Sequence, residues 1–231
     1  MLELSKLSDR EQVELVKLTE LQVGVLSPFV SEWDFCIRGV ITKDESVGEL
    51  RPFPAHDYLR YVIEERNRSK ADSVPFVLDK SRRMLVTWLM LSLYLYDTLT
   101  CSNLAYFIGS RKLESSAYLL GPERLFGIWD RIPDAVWPGK PALECTGKHG
   151  MGYTVVSCAA TGSYIQAIAS GADQLRQFTA TNVFLDEFAF FDNARETWGA
   201  VQPTVLGGGH LDVASTPNLG SFMSDLIEGR G

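Results

Sequence analysis

Asn182-Val183-Phe184-Leu185-Asp186-Glu187-Phe188-Ala189-Phe190-Phe191 is the stretch on which the reading of this chain turns. Val183, Phe184 and Leu185 make a short apolar run of the kind that fills a buried parallel strand. Two carboxylates follow directly. An unpaired charge at the edge of a core is costly, so packing does not explain an Asp-Glu pair there. At the carboxyl end of a parallel strand, side chains project into the crevice where α/β proteins bind ligands. An aspartate in that place can hold Mg²⁺ through its waters, and a neighbouring glutamate can orient or deprotonate an attacking water. Read alone, the pair is equally a surface turn with two solvated acids, so the surrounding chain has to decide.

Upstream, Val74-Pro75-Phe76-Val77-Leu78 has the character of a second buried strand. It runs through Asp79-Lys80-Ser81-Arg82-Arg83-Met84-Leu85-Val86-Thr87 into an apolar helix from Trp88 to Leu99. Strand, short polar loop and helix are the layout of a phosphate-binding loop. Lys80, Arg82 and Arg83 concentrate positive charge at the foot of that helix, where a phosphate is well received. Thr87 falls on the first helical turn, where its hydroxyl can meet Mg²⁺. The usual G-x-x-x-x-G-K-[ST] spelling is missing: the loop has no glycine, and Val86 stands where the lysine belongs.

The remaining segments read as an alternation of strands and helices. Asn103 to Ile108 predicts a third strand. Leu113 to Phe126 predicts a helix interrupted at Gly121-Pro122, and 129–148, with three prolines, predicts mostly irregular chain. Residues 153–158 and 163–168 predict two paired strands around Thr161-Gly162. Ala194 to Val201 predicts a helix, and Leu211 to Ala214 a strand ending in Ser215-Thr216-Pro217-Asn218. Before the loop, Ser8 and Glu11 form a capping box ahead of an amphipathic helix to about Val23. Ser31 to Ile41 is ambiguous, and Lys43 to Glu49 predicts a loop. A helix is expected from near Ala55 to about Arg68, and Arg66, Asn67, Arg68, Ser69 and Lys70 read as its solvated basic end.

The chain has 231 residues, of which 45% are hydrophobic and 22% charged, enough for one large α/β domain. Net charge is −7. A dedicated nucleic-acid binder is usually basic, so any DNA contact has to come from a local patch or a partner. The four cysteines are far apart with no C-x-x-C, which suits reduced core residues better than a zinc site or a disulfide framework. The amino terminus lacks a signal peptide's basic start and apolar run. The most apolar window, Met84 to Leu99, is shorter than the ~20 residues of a membrane span.

Four segments, in order, resemble the ATPase domain of a viral large terminase, the motor that pumps double-stranded DNA into a preformed capsid. Lys80-Ser81-Arg82-Arg83 with Thr87 is similar to the deviant Walker A loop of that family, in which the basic residue opens the loop. The resemblance implies Lys80 on the β- and γ-phosphates and Thr87 on the metal. Leu85, where such loops usually keep a glycine, departs from it, because a Cβ hinders close approach of backbone to phosphate. Asp186-Glu187 resembles a Walker B strand with its catalytic glutamate. Arg176, eleven residues before Glu187, resembles the arginine that the family carries before Walker B, with Gln177 in place of the usual glycine. Such an arginine stabilises charge on the transferred phosphoryl group, in cis or across a ring interface. Ser215, Thr216 and Asn218 resemble the coupling motif, and Phe53 and His56 the adenine-binding segment.

The resemblance implies a P-loop NTPase of the ASCE type: a mainly parallel central sheet flanked by helices, with an N-terminal helical region (residues 1–50) before the ATPase core (51–231). It implies ATP and Mg²⁺ as cofactors, and double-stranded DNA, a portal protein and a small terminase subunit as partners. It also implies a homo-oligomeric ring on the portal, a monomer away from it, no membrane, and action in the host cytoplasm. Large terminases carry an RNase H-like nuclease after the ATPase. Thirteen residues follow Asn218 here, without an acidic constellation, so no nuclease activity is expected. A helicase-like motor and a catalytically silent scaffold derived from a P-loop fold remain as alternatives.

Overall fold

A computed structural model describes residues 27–44, 47–170 and 180–230, without the side chains of 204–206. The expected capping box at Ser8, the helix to Val23 and Arg176 lie outside the described residues. The architecture is a sheet of seven strands, mostly parallel and flanked by helices, as expected for a P-loop NTPase.

The order of elements is α1 (Glu32–Gly39), β1 (Ile41–Asp44), β2 (Glu49–Pro52), α2 (Asp57–Ala71), β3 (Phe76–Asp79), α3 (Val86–Thr100), β4 (Ala105–Ser110), α4 (Leu113–Leu120) and α5 (Leu125–Arg131). These are followed by β5 (Glu144–His149), β6 (Gly152–Cys158), β7 (Ser163–Ala169), β8 (Asn182–Asp186), a 3₁₀ turn (Phe188–Phe190), α6 (Ala194–Leu206), β9 (His210–Ser215) and α7 (Phe222–Ile227). Across the large sheet the order is β3-β9-β8-β4-β7-β6-β5. Pairings from β3 to β7 are parallel, and those of β7 with β6 and β6 with β5 are antiparallel.

The apolar runs have a direct cause. Phe184 and Ala214 pack into the core beneath α1–α5, while Val183, Leu185, Leu211 and Val213 pack into a second core against α6, α7 and the 3₁₀ turn. β8 and β9 are therefore buried on both faces and cannot show the polar alternation of a one-sided strand. α3 fills the space between sheet and α1, and is buried along nearly its whole length.

Several expectations are corrected. Residues 43–49 are not simply loop: β1 and β2 form an antiparallel hairpin, Ile41 opposite Pro52. Its exposed second strand carries polar residues, which hides the pattern. The stretch 129–148 contains the end of α5 and most of β5, an edge strand with mostly exposed side chains. Arg66 is not a solvated helix-end cation but fully buried. Cys36 and Cys158 are core residues, whereas Cys101 is exposed and Cys145 partly so; all four are free thiols. Among the described residues no helix is long and apolar enough to cross a membrane.

Candidate nucleotide site

Strand register assembles the site. β9 lies between β3 and β8, with Asp79 opposite Ser215 and Asp186 opposite Ala214. The chain leaves β3 at Lys80, whose N–H donates to the Ser215 carbonyl (2.9 Å), and leaves β8 at Glu187, whose N–H donates to the Ala214 carbonyl (2.8 Å). Two strand spacings separate the backbones of Lys80 and Glu187, roughly 10 Å. The long lysine side chain closes that gap, its Nζ donating to Glu187 Oε1 at 2.8 Å. α3 starts directly after the loop, so Thr87 reaches the neighbouring acid and its hydroxyl donates to Asp186 Oδ1 at 3.1 Å.

Glu187 Oε2 accepts from the Thr216 N–H (3.0 Å), the Thr216 hydroxyl (2.9 Å) and the Ser215 hydroxyl (3.2 Å). Ser215 Oγ in turn accepts from the Ala189 N–H, and the Asn218 amide donates to the Ala189 carbonyl (3.0 Å). The two acids thus have opposite surroundings. Half-burial of Glu187 works to raise its pKa, but Lys80 and the Thr216 donors outweigh that and hold it below the ordinary carboxylate value. For Asp186, burial dominates over the opposing pull of Lys80 and pushes the carboxyl up to about 6.

The Asp186 shift has a consequence for stability. Between the unfolded value near ~4 and the folded value of about 6, the folded protein holds more protons than the unfolded chain. Stability therefore falls as pH rises through that window. In the absence of nucleotide and metal, Asp186→Asn is expected to remove this slope and to raise stability above pH 6 by about 1–2 kcal/mol. Urea unfolding of both proteins at pH 5 and pH 8 checks it; parallel pH slopes refute it.

The loop itself is strained. Arg83 (φ +63°) and Leu85 (φ +53°) in the loop, and Glu187 (φ +55°) just after β8, adopt left-handed backbone conformations without being glycine. Each costs roughly 1–2 kcal/mol against a right-handed alternative. Non-glycine residues held this way cluster at ligand sites, where the surrounding fold over-determines them.

These groups face one cleft of about 820 Å³. Lys80, Arg82, Arg83, Thr87, Asp186 and Glu187 line it, and His56 lies at its rim with its ring 5.5 Å from that of Tyr58. Phe53 does not line it; it is 3% exposed and belongs to the core. Ser215 and Thr216 lie behind Glu187, and Asn218 ties the following loop to the 3₁₀ turn. The hairpin residues Thr42, Lys43 and Arg51, Tyr118 of α4, and Arg124 just before α5 also line the cleft. Sequence reasoning did not single these out. They reach the cleft through tertiary packing, and no local pattern marks them.

A divalent metal suits the donors present. Thr87 Oγ1 and Asp186 Oδ1 are hard oxygen ligands held together, and Asp186 is a buried acid whose charge a cation would stabilise. Among the described residues no group of three or more His, Cys, Asp or Glu side chains is arranged to hold a metal by itself.

No protein-family model matches the chain, and no curated protein matches it in sequence. In structure the chain is similar to the bacteriophage HK97 large terminase, with TM-score 0.62 and 16% identity over 86% of this chain and 40% of that one. It is also similar to the ATPase domain of the Thermus phage P74-26 large terminase (TM-score 0.58, 16% identity, 87% of this chain and 74% of that one). A third is the large terminase of a thermophilic bacteriophage in complex with ADP, at TM-score 0.51 and 13% identity, over 71% of this chain and 39% of that one. The chain has the fold of these ATPase domains and spans about two fifths of the two longer terminases.

Proposed function

We propose that this chain is a Mg²⁺-dependent ATPase that drives double-stranded DNA into a viral procapsid, working with a portal protein and a small terminase subunit. One observation carries the reading: Lys80 and Thr87, on either side of a loop between strand and helix, face Asp186 and Glu187 in one cleft, with the Ser215–Thr216 turn touching Glu187 from behind. The fold shared with large terminases, one of them solved with ADP, agrees with it.

Lys80, with the exposed Arg82 and Arg83 beside it, receives the phosphate chain as a set of cations. Thr87 and Asp186 are the residues that would hold Mg²⁺, which supplies charge neutralisation across the phosphates. Glu187, an ionised carboxylate at neutral pH, orients a water for in-line attack on the γ-phosphorus and takes up its proton. Once Lys80 turns to phosphate, Glu187 loses one of its partners and keeps Thr216. The Thr216–Asn218 segment is thereby exposed to the state of the site, which fits a coupling role for Ser215, Thr216 and Asn218. Arg176 remains the candidate for an arginine supplied from before Walker B.

A second reading, a nucleotide-free scaffold, draws on side chains at left-handed loop positions where glycine would allow closer phosphate approach. Phosphate release with and without DNA, together with binding of a non-hydrolysable ATP analogue, separates the two. The ATPase reading expects turnover by the wild-type protein, and Lys80→Ala to weaken analogue binding by roughly tenfold or more through loss of a charge-assisted contact. Background release and no analogue binding in both proteins, with DNA and partners present, would favour the scaffold.

A further inference from the structure

Tyr58 stands on the first turn of α2, outside the phosphate-loop pattern in sequence. Its hydroxyl donates to the Met84 carbonyl at 3.2 Å, across 26 positions of the chain. Met84 sits between Arg83 and Leu85, the two loop residues with left-handed backbone, so the bond falls between the two strained positions. The His56 ring stands nearly parallel to that of Tyr58, at 17° and 5.5 Å between centroids. Tyr58, Met84 and Leu85 all pack against the margin of the main core. Partial burial raises the Tyr58 pKa above the ordinary tyrosine value, so the hydroxyl stays a donor throughout the neutral range.

A glycine-rich loop enters left-handed conformations at little steric cost. This loop carries Arg83 and Leu85 at those positions, and their Cβ atoms favour relaxation toward right-handed or extended backbone. A contact from outside the loop has to oppose that relaxation, and the Tyr58 hydroxyl supplies one. Fixing the Met84 carbonyl also fixes the plane of the Met84–Leu85 peptide. That peptide is trans, so its N–H points away from its carbonyl and from Tyr58. Val86 and Thr87 then open α3, whose first amides have no carbonyl partner within the helix. Met84, Leu85, Val86 and Thr87 line the cleft and Tyr58 does not, so Tyr58 acts on the loop from outside the cleft.

We propose that Tyr58 is a positioning residue for phosphate binding: its hydroxyl braces the Met84 carbonyl and so holds a glycine-free loop in the conformation that receives a phosphate chain. This rests on the reading of the cleft as an ATP site. The brace takes over the part that glycine plays in the usual loop, where backbone flexibility lets the amides at the helix start turn toward phosphate.

The test uses the full chain with Tyr58→Phe, which keeps the ring against His56 and the core and deletes the hydroxyl alone. Without nucleotide, limited trypsin cleavage after Arg82 and Arg83, both exposed, reports how well the loop is held. Loss of one net hydrogen bond is expected to speed that cleavage by roughly three- to tenfold, while the melting temperature falls by no more than a few degrees. Affinities for fluorescent ADP and for a non-hydrolysable ATP analogue should fall by a similar factor, and in steady state the loss should appear in KM with kcat nearly kept. Leu85→Gly relieves the left-handed position at its source, so in that background Tyr58→Phe should cost much less. Equal effects of Tyr58→Phe in both backgrounds would show that the hydroxyl does not act through the loop conformation and would overturn the proposal. Wild-type binding with no change in cleavage or affinity in Tyr58→Phe would overturn it while leaving the ATP site intact. A wild-type protein that binds neither nucleotide would remove both.

Discussion

Glu187→Gln is expected to reduce ATP turnover by about 10²–10⁴-fold while nucleotide binding survives. The magnitude is that of losing a positioned general base, and the local geometry explains why so small a change should matter. The Glu187 carboxylate is surrounded by donors: Lys80 Nζ on Oε1, and the Thr216 N–H, Thr216 hydroxyl and Ser215 hydroxyl on Oε2. A glutamine offers one acceptor and one donor in the same space. Whichever way its amide turns, an –NH₂ faces either the Lys80 ammonium or the Thr216 donors, so the substitution removes the charge and also opens one side of the network. Lys80 is then released toward phosphate, which is why binding should not suffer. Single-turnover phosphate release, set beside equilibrium binding of an ATP analogue, checks both halves. Unchanged turnover in the variant would mean that Glu187 is not the base.

Arg66→Met is expected to destabilise the fold by about 3–5 kcal/mol, because it strands a buried carboxylate. Asp212 and Arg66 are both fully buried, and Arg66 Nε donates to Asp212 Oδ2 at 3.0 Å. The Tyr94 hydroxyl donates to the same oxygen at 2.9 Å, and His210 Nδ1 lies 3.1 Å from Oδ1. Burial works to raise the Asp212 pKa, yet Arg66 and His210 hold it below the ordinary carboxylate value. Without Arg66 the charge has to be neutralised or left uncompensated in the core. For a domain of this size the loss corresponds to a fall of roughly 6–20 °C in Tm. The double variant Arg66→Met with Asp212→Leu should recover much of it, since replacing both partners removes the penalty that breaking one creates. Denaturant unfolding of the single and double variants decides; additive losses would refute the coupling. The pair sits on the α2 side of β9, away from its Ser215 end, so its failure should unfold the site without touching its chemistry.

Much of the site is legible in the sequence because its parts are local. The apolar run before Asp186-Glu187 predicts β8, and the strand, basic loop and helix around Lys80 predict the turn from β3 into α3. Both follow from residues adjacent in sequence, whose periodicity and charge survive whatever the rest of the fold does. The β1–β2 hairpin and β5 are not legible, because exposed edge strands carry polar residues that look like loop. Arg66 reads as a surface cation for a different reason: its partner Asp212 is 146 positions away, and nothing in the helix sequence announces it.

By itself, then, the sequence determined the buried strands, the apolar helix between them and the placing of acids and bases at strand ends, because burial on two faces and charge at chain turns leave local marks. The tertiary structure alone decided that β9 lies between β3 and β8. That register sets Lys80 against Glu187 and Thr87 against Asp186, brings Arg124 to the same cleft and withdraws Phe53 into the core. Strand order is fixed by how two cores are filled and by long-range hydrogen bonds, and no window of adjacent residues contains that information.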